Sequence, residues 1–456
     1  MKISFLLNGE TVCADLSTGT ETLLDFIREE RGLKGTKEGC NEGDCGACSV
    51  IVTGDDGVPH AVNACIMLLP QVQGRAVRTV EGVSAPDGPP HPVQQAMIEN
   101  HGSQCGFCTP GFITTMAAAH AKGETDFDAV LAGNLCRCTG YAPIVKAAAA
   151  AQVVDAPTWM ADTSPNKVQS SDAIFCPTTR DELAEWYLAN PNATLIAGAT
   201  DVGLWVTKSL SDLAPLAFLS HVKDLAVIED HPTHWRFGAG CTIRDVLNTV
   251  ADVYPSLANM LKRYGSLQVR NSATLGGNIA NGSPIGDSPP ALIALGATLH
   301  LRKGHETRTI RLEDFFVDYG KQDSAAGEFV TSIDVPKDQD ALRCYKLSKR
   351  FDQDISTVCG SFNVTVQDGT ITVARLVFGG MAGTPKRAQL AEDVMIGQPW
   401  TQGTIDAAMS ALVGDFTPMS DQRASAEYRM HIAQNLMQRY FEDLSGQATD
   451  ILAVQA

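Results

Sequence analysis

No apolar run in these 456 residues approaches the length of a membrane span, so no transmembrane helix is expected. A basic surplus is also missing. Thirty-five Lys and Arg stand against 52 Asp and Glu, a formal charge of −17, whereas nucleic-acid phosphates call for a basic face. No secretory leader is expected either: the apolar start Met-Lys-Ile-Ser-Phe-Leu-Leu is broken at once by Asn8-Gly9, a signature of a strand and tight turn. No internal repeat or low-complexity tract is evident. The expectation is a cytoplasmic chain with no nucleic-acid or membrane partner. Its 44% hydrophobic and 19% charged residues are ordinary globular values, and its length allows two to four domains.

What the chain does have is cysteine, thirteen in all. Without a leader, metal ligands and buried thiols are a better reading than disulfides. Eight fall into two groups. Cys40, Cys45 and Cys48 are spaced C-x4-C-x2-C, with Cys65 shortly after. This is the spacing of plant-type [2Fe–2S] ferredoxins. Gly39, Gly43 and Gly46 interleave the first three, permitting positive φ and letting backbone N–H groups face the sulfurs. The second group is Cys105-x2-Cys108 followed by Cys136-x-Cys138. Taken alone it suits zinc as well as iron; a redox-type group already in the chain favours iron. Thr109-Pro110 reads as N-cap and first residue of a helix, which places Cys105 and Cys108 just ahead of it. Cys136 and Cys138, two apart, would diverge on a helix and so belong on a loop. Cys13, Cys176, Cys241, Cys344 and Cys359 have no clustered neighbours and are expected to be packing residues.

The pattern along the chain is that of a multidomain α+β protein. Residues 1–85 read as a β-grasp, ferredoxin-like domain, with strands at 2–7, 10–16 and 49–53 and a helix at 22–31. Pro86 to Pro92 is a hinge. Residues 86–154 read as a helical domain, with helices at 93–100, 111–122, 127–132 and 144–154, and 155–172 as a linker. An α/β domain at 173–335 and an α+β domain at 336–456 follow, the latter with strands at 361–366 and 371–378 and a long helix at 425–444.

Residues 35–48, 104–112 and 134–141 resemble the molybdenum hydroxylase family, and within it the iron–sulfur and flavin subunits of bacterial xanthine dehydrogenases. The remaining two-thirds resembles the family's flavin portion. There, Leu195-Ile196-Ala197-Gly198-Ala199-Thr200-Asp201-Val202 and Ser272-Ala273-Thr274-Leu275-Gly276-Gly277-Asn278-Ile279 are read as glycine-rich turns after apolar strands. The only Rossmann-like string, Gly238-Ala239-Gly240-Cys241-Thr242-Ile243, has Ile at the third glycine, so a dinucleotide fingerprint is rejected.

The resemblance implies two [2Fe–2S] clusters, on Cys40, Cys45, Cys48 and Cys65 and on Cys105, Cys108, Cys136 and Cys138. It implies FAD held by residues 195–202 and by Thr274, Leu275, Gly276, Gly277 and Asn278, with further contacts from Asp287, Val330 and Lys346. Tyr264 matches an aromatic position near the flavin ring, where mammalian members carry phenylalanine. Tyr319 matches a position beside the nicotinamide of NAD+, the implied acceptor. Because the sequence stops at Ala456, the molybdopterin domain is expected in a large partner subunit, in a heterotetramer of two copies each. The implied role is to pass electrons from the partner, which oxidises hypoxanthine or xanthine to urate, through both clusters and FAD to NAD+. No catalytic residue is assigned to this chain. The rivals are a same-fold subunit of an aldehyde or N-heterocycle dehydrogenase with another acceptor, and a zinc-binding scaffold.

Overall fold

The computed structural model describes residues 1–85, 87–162, 174–337 and 341–449. Pro86 of the expected hinge and residues 163–172 of the expected linker lie outside them. The chain forms two compact units, the first from Met1–Asp224 with Gly265–Thr274, the second from Leu225–Tyr264 and the chain beyond Leu275.

In the first unit, Asn8 and Gly9 take positive φ and turn Lys2–Leu7 back onto Glu10–Asp15. A five-stranded sheet follows in the order Glu10–Asp15, Lys2–Leu7, Ala76–Arg78, Ser49–Thr53, Pro59–Asn63. Its Lys2–Leu7 and Ala76–Arg78 strands are parallel and its other pairs antiparallel. Period-2 alternation buries Ile3, Phe5 and Leu7. The helix expected at 22–31 is α-helical only over Leu23–Asp25 and continues as a π-helix over Phe26–Glu30. Leu23, Leu24, Phe26 and Ile27 are all buried there, an apolar arc wider than one α-helical stripe, and the widened turn accommodates it.

Four helices, Pro92–Glu99, Thr109–Ala121, Phe127–Leu131 and Ala142–Ala151, enclose a core around Phe112, Met116 and Ile144. The second begins earlier than expected. Cys108 is its N-cap and Thr109-Pro110 form its first turn, because proline's fixed φ and missing N–H are both tolerated there. His91 caps the first helix: it is 1% exposed, its Nδ1 accepts from the Val93 N–H at 3.2 Å, and its ring meets His120 and Trp159 edge-on. Burial, with the nearby His120, lowers its pKa to about 4. An unfolded histidine binds its proton near pH 6.5, so stability is full above that pH and is lost as pH falls towards 4, by up to about 3 kcal/mol. Urea midpoints at pH 7 and pH 5 should differ accordingly, and His91→Asn, which retains a cap, should flatten that difference; equal midpoints for the parent would refute the assignment.

A short parallel sheet, ordered Ile174–Phe175, Leu216–Phe218, Thr194–Ile196, completes the first unit and shares a core with the ferredoxin-like sheet. The α/β character expected for 173–335 is concentrated here.

The second unit is built on antiparallel sheets. One has the order Glu306–Arg311, Thr298–Lys303, Glu328–Pro336, His234–Gly238, Ile228–Asp230. The other, Arg343–Leu347, Val358–Gln367, Thr370–Gly379 and Lys386–Arg387, packs against Gln389–Met395, Gln402–Asp415 and Ala426–Leu444. The last helix is capped by Ser425, which accepts from the Tyr428 N–H at 3.2 Å.

Among the scattered cysteines, Cys176, Cys241 and Cys359 are buried and Cys344 is half-buried, but Cys13 is exposed. Its neighbours Val12 and Ala14 take the core face, so the strand's alternation turns Cys13 to solvent and it is not a packing residue. Among the described residues, no helix is long and apolar enough to cross a membrane.

Candidate functional site

The loop 39–48 curls before the strand Ser49–Thr53, bringing Cys40, Cys45 and Cys48 towards Cys65, which follows the strand Pro59–Asn63. Cys48 Sγ lies 3.3 Å from Cys65 Sγ. Cys40 Sγ accepts from the Asp44 and Cys45 backbone N–H groups, each at 3.4 Å. The Cys45 thiol first, and the Cys65 thiol with it, hold Cys40 far below the ordinary thiol range, and the same contacts push Cys45 and Cys65 up. The contacts thus favour the thiolate form at Cys40, the form in which cysteine ligates a metal.

Gly43 and Gly46 have positive φ, 80° and 69°, whereas Gly39 does not. Gly39 is needed for space instead: a Cβ there would stand 2.7 Å from Cys45 Sγ. At Gly46 both reasons hold, since a Cβ would also come within 2.2 Å of the Gly133 carbonyl oxygen.

The second group forms around the N-terminus of Thr109–Ala121. Cys136 and Cys138 lie on the loop between Phe127–Leu131 and Ala142–Ala151, as their spacing requires. Cys105 pairs with Cys138 and Cys108 with Cys136. Cys108 is pushed up to about 12 by burial and by the Cys136 thiol. Burial would raise Cys136 too, but the Thr139 hydroxyl, 3.1 Å from its Sγ, prevails and lowers it. The Phe107 backbone N–H lowers Cys105. Cys105 and Cys138 are exposed, Cys136 buried.

The backbone N–H of Cys136 donates to the Tyr141 hydroxyl at 3.0 Å, and Tyr141 itself holds φ at 68°, a left-handed conformation costly for an aromatic residue. The two cysteine loops also touch: the Leu135 N–H donates to the Cys45 carbonyl at 3.0 Å, and Asn134 Nδ2 to the Gly46 carbonyl at 3.0 Å. Among the described residues, no three His, Cys, Asp or Glu side chains close on a single ion position. The thiols instead form chains of pairwise contacts with sulfur-facing N–H groups, and this arrangement fits two four-thiolate clusters.

Of the residues assigned to FAD, the first unit holds the turn 195–202 and Thr274. This turn leaves the strand Thr194–Ile196 and enters the helix Val202–Thr207. A Cβ on Gly198 would fall 1.9 Å from the Ser272 carbonyl oxygen, and Ala199 is held at φ 58°. Gln71 Nε2 donates to the Ala197 carbonyl at 2.9 Å. At that helix's C-terminus, Lys208 Nζ reaches the Cys40 carbonyl at 2.6 Å, and Thr207 Oγ1 the Asn41 carbonyl at 3.0 Å. The turn and the first cysteine loop are thereby braced against each other.

The second motif does not follow a strand. It follows the helical turn Leu267–Arg270, capped by Ser266, and Leu275, Gly276, Gly277 and Asn278 open the helix Leu275–Asn281. Run lengths this short cannot separate strand from helix by periodicity.

In the second unit, Leu275 and Gly276 donate their backbone N–H groups to the Cys241 and Ala239 carbonyls, both at 2.9 Å. The rejected glycine string thus backs the second motif. It follows His234–Gly238, a strand paired antiparallel on both sides, so it does not stand in a parallel βαβ unit. Asn278 Nδ2 donates to the Tyr264 hydroxyl at 2.9 Å, and Ser288 Oγ to Asn278 Oδ1 at 2.5 Å. Buried Lys346 and Ser356 both bind Asp287, each at 2.5 Å. Val330 is buried in Glu328–Pro336, while Tyr319 stands 73% exposed between Phe316–Asp318 and Lys321–Gln322.

Sequence reasoning missed Gln71, Lys208, Asn134 and Gln268 as residues that hold these loops. Single polar residues at such separations leave no spacing signal.

Two groups of four thiols and one glycine turn in the first unit, with the second glycine motif and a buried Lys–Asp pair in the second, are what an iron–sulfur flavoprotein would need. Four family models account for most of the chain: the 2Fe-2S iron-sulfur cluster binding domain over 5–69, the [2Fe-2S] binding domain over 79–149, the FAD binding domain in molybdopterin dehydrogenase over 167–338, and the CO dehydrogenase flavoprotein C-terminal domain over 343–444. The chain belongs to the molybdenum hydroxylase family. It is 30% identical to xanthine dehydrogenase of Emericella nidulans over 98% of its own length and 39% of that protein's, and 28% identical to a nicotinate hydroxylase of the same organism over 96% and 40%. Carbon monoxide dehydrogenase from Hydrogenophaga pseudoflava has a solved chain that matches with a TM-score of 0.55 and 25% identity, covering 58% of this chain and 94% of that one. The chain spans about two fifths of the length of the curated relatives it matches.

Proposed function

We propose that this chain is the electron-transfer portion of a xanthine dehydrogenase, working with a molybdopterin-bearing partner subunit that oxidises hypoxanthine and xanthine to urate, with NAD+ as acceptor. The observation that carries the reading is the pair of four-thiol loops joined directly through Leu135 N–H and the Cys45 carbonyl, in a chain that aligns with xanthine dehydrogenase over 98% of its length. When bound, two [2Fe–2S] clusters and FAD supply one-electron storage and its conversion into a hydride. The chain's own residues hold and orient. Cys40, Cys45, Cys48 and Cys65 bind one cluster, and Cys105, Cys108, Cys136 and Cys138 the other. Residues 195–202, Tyr264, Thr274, Leu275, Gly276, Gly277, Asn278, Asp287, Val330 and Lys346 contact FAD, and Tyr319 meets nicotinamide. The proposed domains are 1–85, 86–154, 173–335 and 336–456, the assembly a cytoplasmic heterotetramer.

A second reading, an N-heterocycle hydroxylase with the same electron path, is favoured by the likeness to nicotinate hydroxylase. The test is to purify the chain with its partner and assay xanthine and nicotinate against NAD+, then to follow dye reduction by NADH in the chain alone before and after Tyr319→Ala. Xanthine-dependent NAD+ reduction, with NADH-to-dye turnover weakened by the substitution, is expected. Turnover of nicotinate alone would establish the second reading. Absence of NADH activity in FAD-loaded, folded protein would overturn NAD+ as acceptor.

A further inference from the structure

Gln268 lies in a segment that the FAD-domain match covers, yet this segment belongs to the iron–sulfur unit. It is 1% exposed, and the groups around it are just as buried: Ser49 and Asn134 at 1%, Thr115 at 0%. Gln268 Nε2 lies 3.1 Å from Ser49 Oγ, 3.1 Å from Thr115 Oγ1 and 3.0 Å from Asn134 Oδ1. Each partner leads to a cysteine loop. Ser49 follows Cys48, and its hydroxyl donates to the Gly46 carbonyl at 2.8 Å. Asn134 precedes Cys136 by two residues and donates to that same carbonyl. Thr115 sits on the helix that Cys108 caps. One primary amide has two hydrogens for three acceptors, so this site is shared by design of its surroundings rather than by local sequence.

The fit around it leaves no slack. A Cβ on Gly133 would come within 2.1 Å of Gln268 Oε1, and one on Gly111 within 2.2 Å of the Gly46 carbonyl oxygen. Gln268 Oε1 is itself buried and without a hydrogen-bond partner. A buried amide that leaves an acceptor unmet costs free energy, which an apolar side chain of similar shape would avoid. Buried polar networks of this kind rigidify and specify one arrangement.

We infer that Gln268 is a positioning residue that sets the separation and orientation of the two cysteine loops, so that a segment of the flavin region governs electron exchange between the clusters. This rests on the cluster assignment above. The side chain acts through its hydrogen bonds to Ser49, Thr115 and Asn134. The donors and acceptors it joins hold Gly46 from both sides, and Gly46 neighbours Cys45, whose carbonyl receives the Leu135 N–H.

The test uses the full chain with iron loaded, as parent, Gln268→Met and Ser49→Ala. Methionine keeps the volume and removes the donors; the Ser49 change removes one acceptor and the brace to Gly46. Iron content and the separate paramagnetic resonance signals of the two reduced clusters report whether the clusters are present, and the magnetic splitting between those signals reports their separation. The expected result is full iron, both signals retained, and a splitting that is lost or shifted in Gln268→Met and shifted less in Ser49→Ala. Full iron with parental splitting in both variants would overturn the inference. If Gln268→Met fails to fold, Ser49→Ala alone decides by the same criterion. A parent without iron would instead refute the cluster assignment itself.

Discussion

Cys138→Ser is expected to remove half of the bound iron and one paramagnetic resonance signal while leaving the other signal and the fold in place. Serine offers a harder oxygen in place of the thiolate that iron–sulfur clusters take. Cys138 is exposed and its sulfur partner is Cys105, whereas the bond to Cys45 is made by the Leu135 N–H. Nothing in the first group leans on it: Cys40, Cys45, Cys48 and Cys65 are held by the loop 39–48 and by the strands Ser49–Thr53 and Pro59–Asn63. Electron flow from a partner to dye should stop with it, because the proposed path runs through both clusters. Iron analysis and low-temperature spectra of the reduced variant decide the matter. Loss of both signals in a folded variant would show that the two groups do not load independently.

Lys346→Met is expected to destabilise the second unit by about 3–5 kcal/mol, the usual consequence of leaving one member of a buried ion pair alone. Lys346 is 2% and Asp287 7% exposed at the side chain, and Ser356 is the other partner seen on that carboxylate. Without the ammonium, Asp287 must stay buried with one hydroxyl for company or take up a proton. In a unit of this size the loss corresponds to a fall in melting temperature on the order of 10 °C. The double variant Lys346→Met/Asp287→Leu should recover most of it, since no lone charge remains. Thermal melts of the three proteins test this, and a single variant as stable as the parent would exclude the pair as a structural element. FAD content should fall in both variants if Lys346 also contacts the flavin; loss in neither would withdraw that assignment.

The features legible in the sequence were those with local spacing. Three cysteines within nine residues, with glycines beside and between them, mark a candidate metal loop, because the spacing of such ligands is set over a few bonds. Asn8-Gly9 announces its hairpin for the same reason, and the alternation of Ile3, Phe5 and Leu7 its buried face. Short apolar runs were less legible. The second glycine motif followed a helical turn in place of a strand, and 22–31 divided into α and π segments, since neither run is long enough for its period to decide. Cys13 turned outward because its strand neighbours claimed the core.

By itself, then, the sequence picked out the eight clustered cysteines, the strands at 2–7, 10–16 and 49–53, the four helices between 92 and 154, and the surplus of acidic over basic residues. Only the tertiary structure decided that residues 265–274 leave the second unit's stretch of chain to join the first, that Lys208 and Gln71 brace the turn 195–202, and that Gln268 reaches Ser49, Thr115 and Asn134. These contacts join residues far apart in the chain, and a single glutamine between Leu267 and Val269 has no periodicity of its own. Its meaning arises when a strand, a helix and a loop each bring a buried polar group to one amide.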